Sequence, residues 1–170
     1  DKTASLSYTY DPGDPVKSLG GNWAIGQESG AHDQRPLNER EDILRFVTEP
    51  LAEPVGITGK FWLELHVSSD APDTMFTAKL VDIYNDSLER KMLVLDAILM
   101  GRHRNGLDQE DLLEPDSVYR FDIELGNTAY VFPAGHRLCL AISSSNSPRF
   151  LTNLNTGGRP YRDTLDTLVA

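Results

Sequence analysis

Tyr119-Arg120-Phe121-Asp122-Ile123-Glu124-Leu125 alternates apolar and charged side chains without a break. Successive residues of a strand point to opposite faces. A period of two therefore buries Tyr119, Phe121, Ile123 and Leu125 and leaves Arg120, Asp122 and Glu124 in water. The same pattern recurs on both sides of this stretch. Phe61, Leu63, Leu65 and Val67 alternate with Trp62, Glu64 and His66, and Leu138, Leu140 and Ile142 alternate with Arg137, Cys139 and Ala141. Phe76 to Tyr84 is rich in β-branched and aromatic residues; Asn85-Asp86-Ser87 then makes a turn, and Met92 to Leu99 resumes. This pair predicts a hairpin. Val55 to Thr58 predicts a short separate strand before Gly59.

Helical signals are sparse. Pro36 to Phe46 predicts the start of a short helix capped by Asp33, one turn at most because Leu37 to Asp42 is polar, and Asp108 to Leu113 and Asp163 to Val169 predict further helical turns. No strand alternates with a long helix, which rules against a doubly wound α/β domain. The expected class is all-β, a sandwich of six or more strands with short helical turns. Residues 8–36 carry Pro12, Pro15 and Pro36 and no clear period. They predict an irregular approach loop, of the kind that serves function or packs on something else.

The chain has 170 residues and a mass of 18.9 kDa, the size of one domain. Its formal charge is −10, which repels phosphate backbones and speaks against a nucleic-acid partner. No apolar stretch reaches the roughly 20 residues of a membrane helix. A single cysteine, Cys139, excludes a disulfide framework and suits the cytoplasm. The start at Asp1, without an initiator Met or a leader, predicts a piece of a longer protein or a removed leader.

Catalytic motifs are missing. Gly26-Gln27-Glu28-Ser29-Gly30 places its serine one position away from the G-x-S-x-G elbow, and it neither follows a strand nor opens a helix. The four histidines, His32, His66, His103 and His136, lie more than 30 residues apart and lack zinc-site spacing. Asp70, Asp73 and Asp82 fall near one strand start but match no calcium loop, so turn capping is the expectation. Ser143 to Ser147 and Asn153 to Gly158 read as hydrogen-bonded turns, with a sugar-binding rim as the other reading. Trp62, opposite Phe61 and Leu63, is expected to face a second sheet or another domain. No catalytic residue, metal ligand or cofactor is assigned.

Several strings share a further property. They are Tyr8-Thr9-Tyr10-Asp11-Pro12, Asp14-Pro15-Val16, Gly20-Gly21 and Asp33-Gln34-Arg35-Pro36. Ser68 to Thr74, Phe76 to Asp82 and Gly135-His136-Arg137 follow. Ser143 to Asn146, Pro148-Arg149-Phe150 and Asn153 to Gly157 complete the set. In this order they resemble the C-terminal β domain of the X-Pro dipeptidyl-peptidase-like hydrolases, the family of cocaine esterase and the α-amino acid ester hydrolases. The resemblance implies a single jelly-roll, galactose-binding-like domain over residues 1–170, with the catalytic α/β-hydrolase domain and its Ser-His-Asp triad outside the chain.

The resemblance also implies a role. The domain would be a non-catalytic module of a serine hydrolase of peptidase, esterase or acylase type, packed on the hydrolase and cap domains. The small ester or peptide substrate would belong to the parent. The loop after Gly20-Gly21 would place Trp23, Ala24 and Ile25 on the wall of the acyl pocket, braced by Asp33, Gln34 and Arg35. The chain departs from the family pattern at Met75, where an acidic residue is usual, and in lacking the family's closing strand after the region of Asn155. The reading from another class is a free-standing carbohydrate- or ligand-binding jelly roll.

Overall fold

The structure is a computed structural model describing residues 5–22, 29–159 and 162–164. Six strands make up its frame: β1 (Leu44–Val47), β2 (Val55–Val67), β3 (Met75–Ile83), β4 (Lys91–Met100), β5 (Tyr119–Phe132) and β6 (Arg137–Ser143). They form an antiparallel sandwich. One sheet has the order β1-β6-β3-β4, and β2 and β5 form the other. The chain changes sheet after β1, β2, β4 and β5, the alternation of a jelly roll.

The alternating stretches meet where the opening pattern put them. Phe121 and Ile123 of β5 are buried against Phe76 and Ala78 of β3 and Ile142 of β6, with Leu63 and Leu65 of β2 packed alongside. Phe76 and Phe121 meet edge to face with centroids 5.1 Å apart. The hairpin is β3–β4. β3 departs from alternation because both its faces are covered. Phe76 and Ala78 face the inter-sheet core, and Val81 and Ile83 join a second cluster with Leu93 and Cys139. Over that second face lies the N-terminal segment, whose Val16, Leu37 and Ile43 form a third cluster against Ala141.

Four expectations are corrected. Val55–Thr58 is no separate strand: β2 runs through Gly59, whose φ of 109° is open to glycine, and pairs with β5 along its whole length. Where Phe61 pairs with Gly126 and Trp62 with Glu124, Leu125 is the extra residue of a bulge. The helix over Pro36–Phe46 shrinks to a 3-10 turn, Arg35–Leu37, followed by β1. Pairing of Leu44 with Ile142 and Val47 with Cys139 outweighs the weak helical propensity there. Gln34, not Asp33, occupies the N-cap and its side chain makes no capping bond; Asp33, one residue earlier, accepts from the Arg35 N–H. Asp108–Leu113 is irregular because its backbone bonds reach sideways, from Asp111 N–H to the Arg102 carbonyl and from Leu113 N–H to the Pro72 carbonyl. Asp163 and Thr164 are not helical, and residues 165–169 of that expected turn lie outside the described residues.

Residues 32–34 sit on the outer edge of β4. Asp33 bridges Met92, Gln34 N–H donates to the Lys91 carbonyl and Leu93 N–H to the His32 carbonyl. The approach segment thus closes an edge that would otherwise present unpaired backbone.

Candidate functional site at the Gly20-Gly21 loop

The approach segment leaves the sheet at Gly20-Gly21 and returns at Gly30. Both leading glycines have left-handed backbone, with φ of 74° and 106°. A Cβ on Gly20 would collide with the Gly30 carbonyl, and one on Gly21 with the Arg149 guanidinium and the Asp96 carboxylate. Glycine is required twice over, by conformation and by space. The stem closes with a reciprocal pair of bonds, Gly21 N–H to the Gly30 carbonyl at 2.8 Å and the reverse at 2.9 Å.

Gln34 ties the two arms of the stem together. Its Nε2 donates to the Leu19 carbonyl at 2.8 Å and to the His32 carbonyl at 3.0 Å. Its Oε1 accepts from Lys79 Nζ at 3.1 Å, anchoring the amide to β3. Beneath Gly21, Arg149 is paired with Asp96 of β4, which also accepts from Asn146 Nδ2 at 3.1 Å. Asp33 and Arg35 hold the segment that follows. Asp33 Oδ1 accepts from the Arg35 and Lys91 N–H groups at 3.0 and 3.2 Å, and Oδ2 from Arg35 Nε at 2.7 Å. Burial alone would raise this carboxyl; the bonds from Arg35 and Lys91 outweigh it and hold Asp33 below the ordinary range. Arg35 Nη1 reaches the Leu88 carbonyl at 3.0 Å.

Trp23, Ala24 and Ile25 lie outside the described residues. A cleft of about 520 Å³ opens at the stem, lined among others by Asn22, Ser29, Ala31, Leu125, Asn127 and Arg149. Sequence reasoning names Asp33, Gln34 and Arg35 but assigns no part in the stem to Lys79, Asp96 or Arg149. The available signal is a charge inside an apolar strand: Lys79 between Ala78 and Leu80, and Asp96 between Leu95 and Ala97.

The remaining candidates are dispersed. Asp70 is exposed; Asp73 is fully buried against Arg102; Asp82 accepts from Tyr130 Oη and His136 Nδ1, each at 2.8 Å. Burial, with the bond to Asp82 second, holds the Tyr130 phenol well above its usual range. His66 meets Glu64, and His103 meets the Gln109 carbonyl, so the histidines stay apart. Among the described residues, no three His, Cys, Asp or Glu side chains are grouped to hold a metal, and no serine or cysteine is hydrogen-bonded to a histidine. Ser143, Ser144, Ser145 and Asn146 are buried and bonded inward, to Thr77, Tyr8 and Val16 among others. Met75 is buried at the start of β3. Trp62 is 56% exposed, with Lys60 Nζ 4.7 Å from its ring centroid. Among the described residues no helix is long and apolar enough to cross a membrane.

Known proteins share this architecture. The family model of the X-Pro dipeptidyl-peptidase C-terminal non-catalytic domain matches residues 1–167. Cocaine esterase of Rhodococcus sp. (strain MB1 Bresler) is 42% identical over 163 residues, which are 95% of this chain and 28% of that protein. An aminopeptidase from a marine sediment Thaumarchaeota archaeon superposes with a TM-score of 0.83 at 26% identity, over 92% of this chain and 28% of that one. An α-amino acid ester hydrolase gives 0.81 at 26% identity with the same coverages. The chain thus spans somewhat over a quarter of the length of these relatives. A family match across nearly the whole sequence, on an all-β sandwich, settles the assignment: the chain belongs to the X-Pro dipeptidyl-peptidase C-terminal non-catalytic domain family.

Proposed function

We propose that this chain is one jelly-roll module of a serine hydrolase for esters or amides, packed on α/β-hydrolase and cap domains. Its loop beyond Gly20-Gly21 walls the acyl pocket. The observation that carries this reading is the stem. Gly21 and Gly30 are bonded to each other, Gln34 ties both arms, and Arg149 and Asp96 fill the space beneath. A loop with so constrained a base can present Trp23, Ala24 and Ile25 to a neighbour at low entropic cost. Asp33, Gln34 and Arg35 act as braces and take no part in chemistry. Catalysis is the task of a Ser-His-Asp triad in the hydrolase domain, through an acyl-enzyme. The single buried thiol of Cys139 supports a cytoplasmic setting.

In the intact protein, Trp23→Ala is expected to shift the ratio of kcat/KM between aromatic and short aliphatic acyl esters by about 10-fold or more. Burst kinetics on an activated ester would report the triad unimpaired. Unchanged ratios across a series of acyl groups would overturn the pocket-wall reading.

Gln34→Glu separates the two duties of Gln34, because Glu keeps an acceptor for Lys79 and loses both donations to the stem. Amide exchange at Gly21 and Gly30 is expected to rise by about 10-fold, corresponding to loss of hydrogen bonding of about 1–1.5 kcal/mol, with β3 and β6 unchanged. Uniform exchange across the variant would show that Gln34 only accommodates the lysine.

A further inference from the structure

Lys79 is 5% exposed on the face of β3 that the N-terminal segment covers. Buried lysines ordinarily meet a carboxylate. Among the described residues, the contact at Lys79 Nζ is instead the amide oxygen of Gln34, at 3.1 Å, with no carboxylate within ion-pair distance. An amide oxygen accepts equally from an amine, so nothing here requires the proton that makes an ammonium.

Burial accordingly pushes the Lys79 amine down to about 8. Asp96 on β4 opposes this and Arg149 adds to it. At pH 7 roughly a tenth of such amines are neutral, against fewer than about one in a thousand for an ordinary lysine. Arg45, Lys91 and Cys139 line the same cavity as Lys79. The Cys139 thiol is pushed up by burial, which keeps it protonated and a poor competitor as nucleophile.

The cavity itself is small and mostly apolar. It measures about 50 Å³ and is bounded by Val16, Leu37, Ile43, Val81 and Ala141 around Lys79. That is room for roughly three or four water-sized groups. A small electrophile of about three or four heavy atoms fits such a space; an aromatic ring does not.

We propose that Lys79 is a capture site for short-chain aliphatic aldehydes, which its amine takes up as an imine within this cavity. The nitrogen lone pair attacks the carbonyl carbon, and the carbonyl oxygen receives a proton from nitrogen. The carbinolamine then loses one water to leave C=N. No oxidant or reductant is needed. Apolar walls slow the return of water, and Asp96 stabilises the iminium when the nitrogen is protonated.

The test treats the intact protein with limiting propionaldehyde and cyanoborohydride at pH 7, followed by peptide mass mapping. Lys79 is expected to gain the propyl group at least about 10-fold faster than the chain's other four lysines. Benzaldehyde is expected to label Lys79 no faster than those four. Unfolding in urea is expected to abolish the preference. Lys79 left unmodified while exposed lysines react would overturn the proposal. So would equal labelling by benzaldehyde and propionaldehyde, which would show that the cavity plays no part.

Discussion

Arg102→Ala is expected to lower the unfolding free energy by about 3–5 kcal/mol, the cost of stranding a buried carboxylate. Asp73 is fully buried and Arg102 is 3% exposed. Arg102 gives Asp73 two bonds, from its backbone N–H to Oδ1 at 3.0 Å and from Nε to Oδ2 at 2.9 Å. Its Nη2 crosses to the Gly158 carbonyl at 2.5 Å, and Asn153 Nδ2 donates to Asp73 Oδ2 at 2.8 Å. The guanidinium therefore joins three loops: the one before β3, the one after β4 and the one after β6. An alanine at this position would keep the backbone bond to Oδ1 and the Asn153 bond to Oδ2, and would lose both guanidinium bonds and the charge that balances Asp73. Urea unfolding measures the effect directly. Arg102→Lys should fall between, because an ammonium cannot reproduce the fork that serves Asp73 and Gly158 together. A loss below about 1 kcal/mol for Arg102→Ala would mean water replaces the guanidinium without penalty.

That pair also shows where sequence reading stops. Alternation in Phe61–Val67 and Tyr119–Leu125 is legible because one face of each stretch is wet, so hydrophobicity reports geometry directly. β1 reads as helix because its four residues are stable only through their pairing with β6, a contact about a hundred positions away in the chain. Asp73 groups with Asp70 and Asp82 by nearness in sequence. The structure gives them an ion pair, an exposed turn and a Tyr130–His136 cluster, since the partners arrive from other strands and loops. The stem divides in the same way. Gly20-Gly21 and Asp33-Gln34-Arg35 are local strings with local reasons. Lys79, Asp96 and Arg149 join them from β3, β4 and the segment after β6.

Lys79→Met is expected to reverse the sign of its effect on stability with pH. In the folded chain burial, against Asp96 and with Arg149, brings the Lys79 amine down to about 8, whereas in the unfolded chain it titrates at its ordinary 10.5. Between these values the unfolded state holds a proton that the folded state does not, so unfolding becomes harder as pH rises. The gain is about 3 kcal/mol across the window, at about 1.4 kcal/mol per pH unit. Below pH 8 both states are protonated, and the folded chain carries the full penalty of a buried charge. The methionine variant has neither the penalty nor the bond to Gln34 Oε1, whose loss costs about 1–3 kcal/mol. At pH 7 the variant should thus match or exceed the wild type, and near pH 10.5 it should be less stable by about 1–3 kcal/mol. Comparing the two proteins at each pH cancels groups that titrate in both, such as Cys139, raised by burial, and Tyr8, pushed up to about 12 mainly by burial. A difference between variant and wild type that stays flat from pH 7 to 10.5 would mean that Lys79 remains an ammonium throughout. The amine would then have no excess of its neutral form with which to take up an aldehyde.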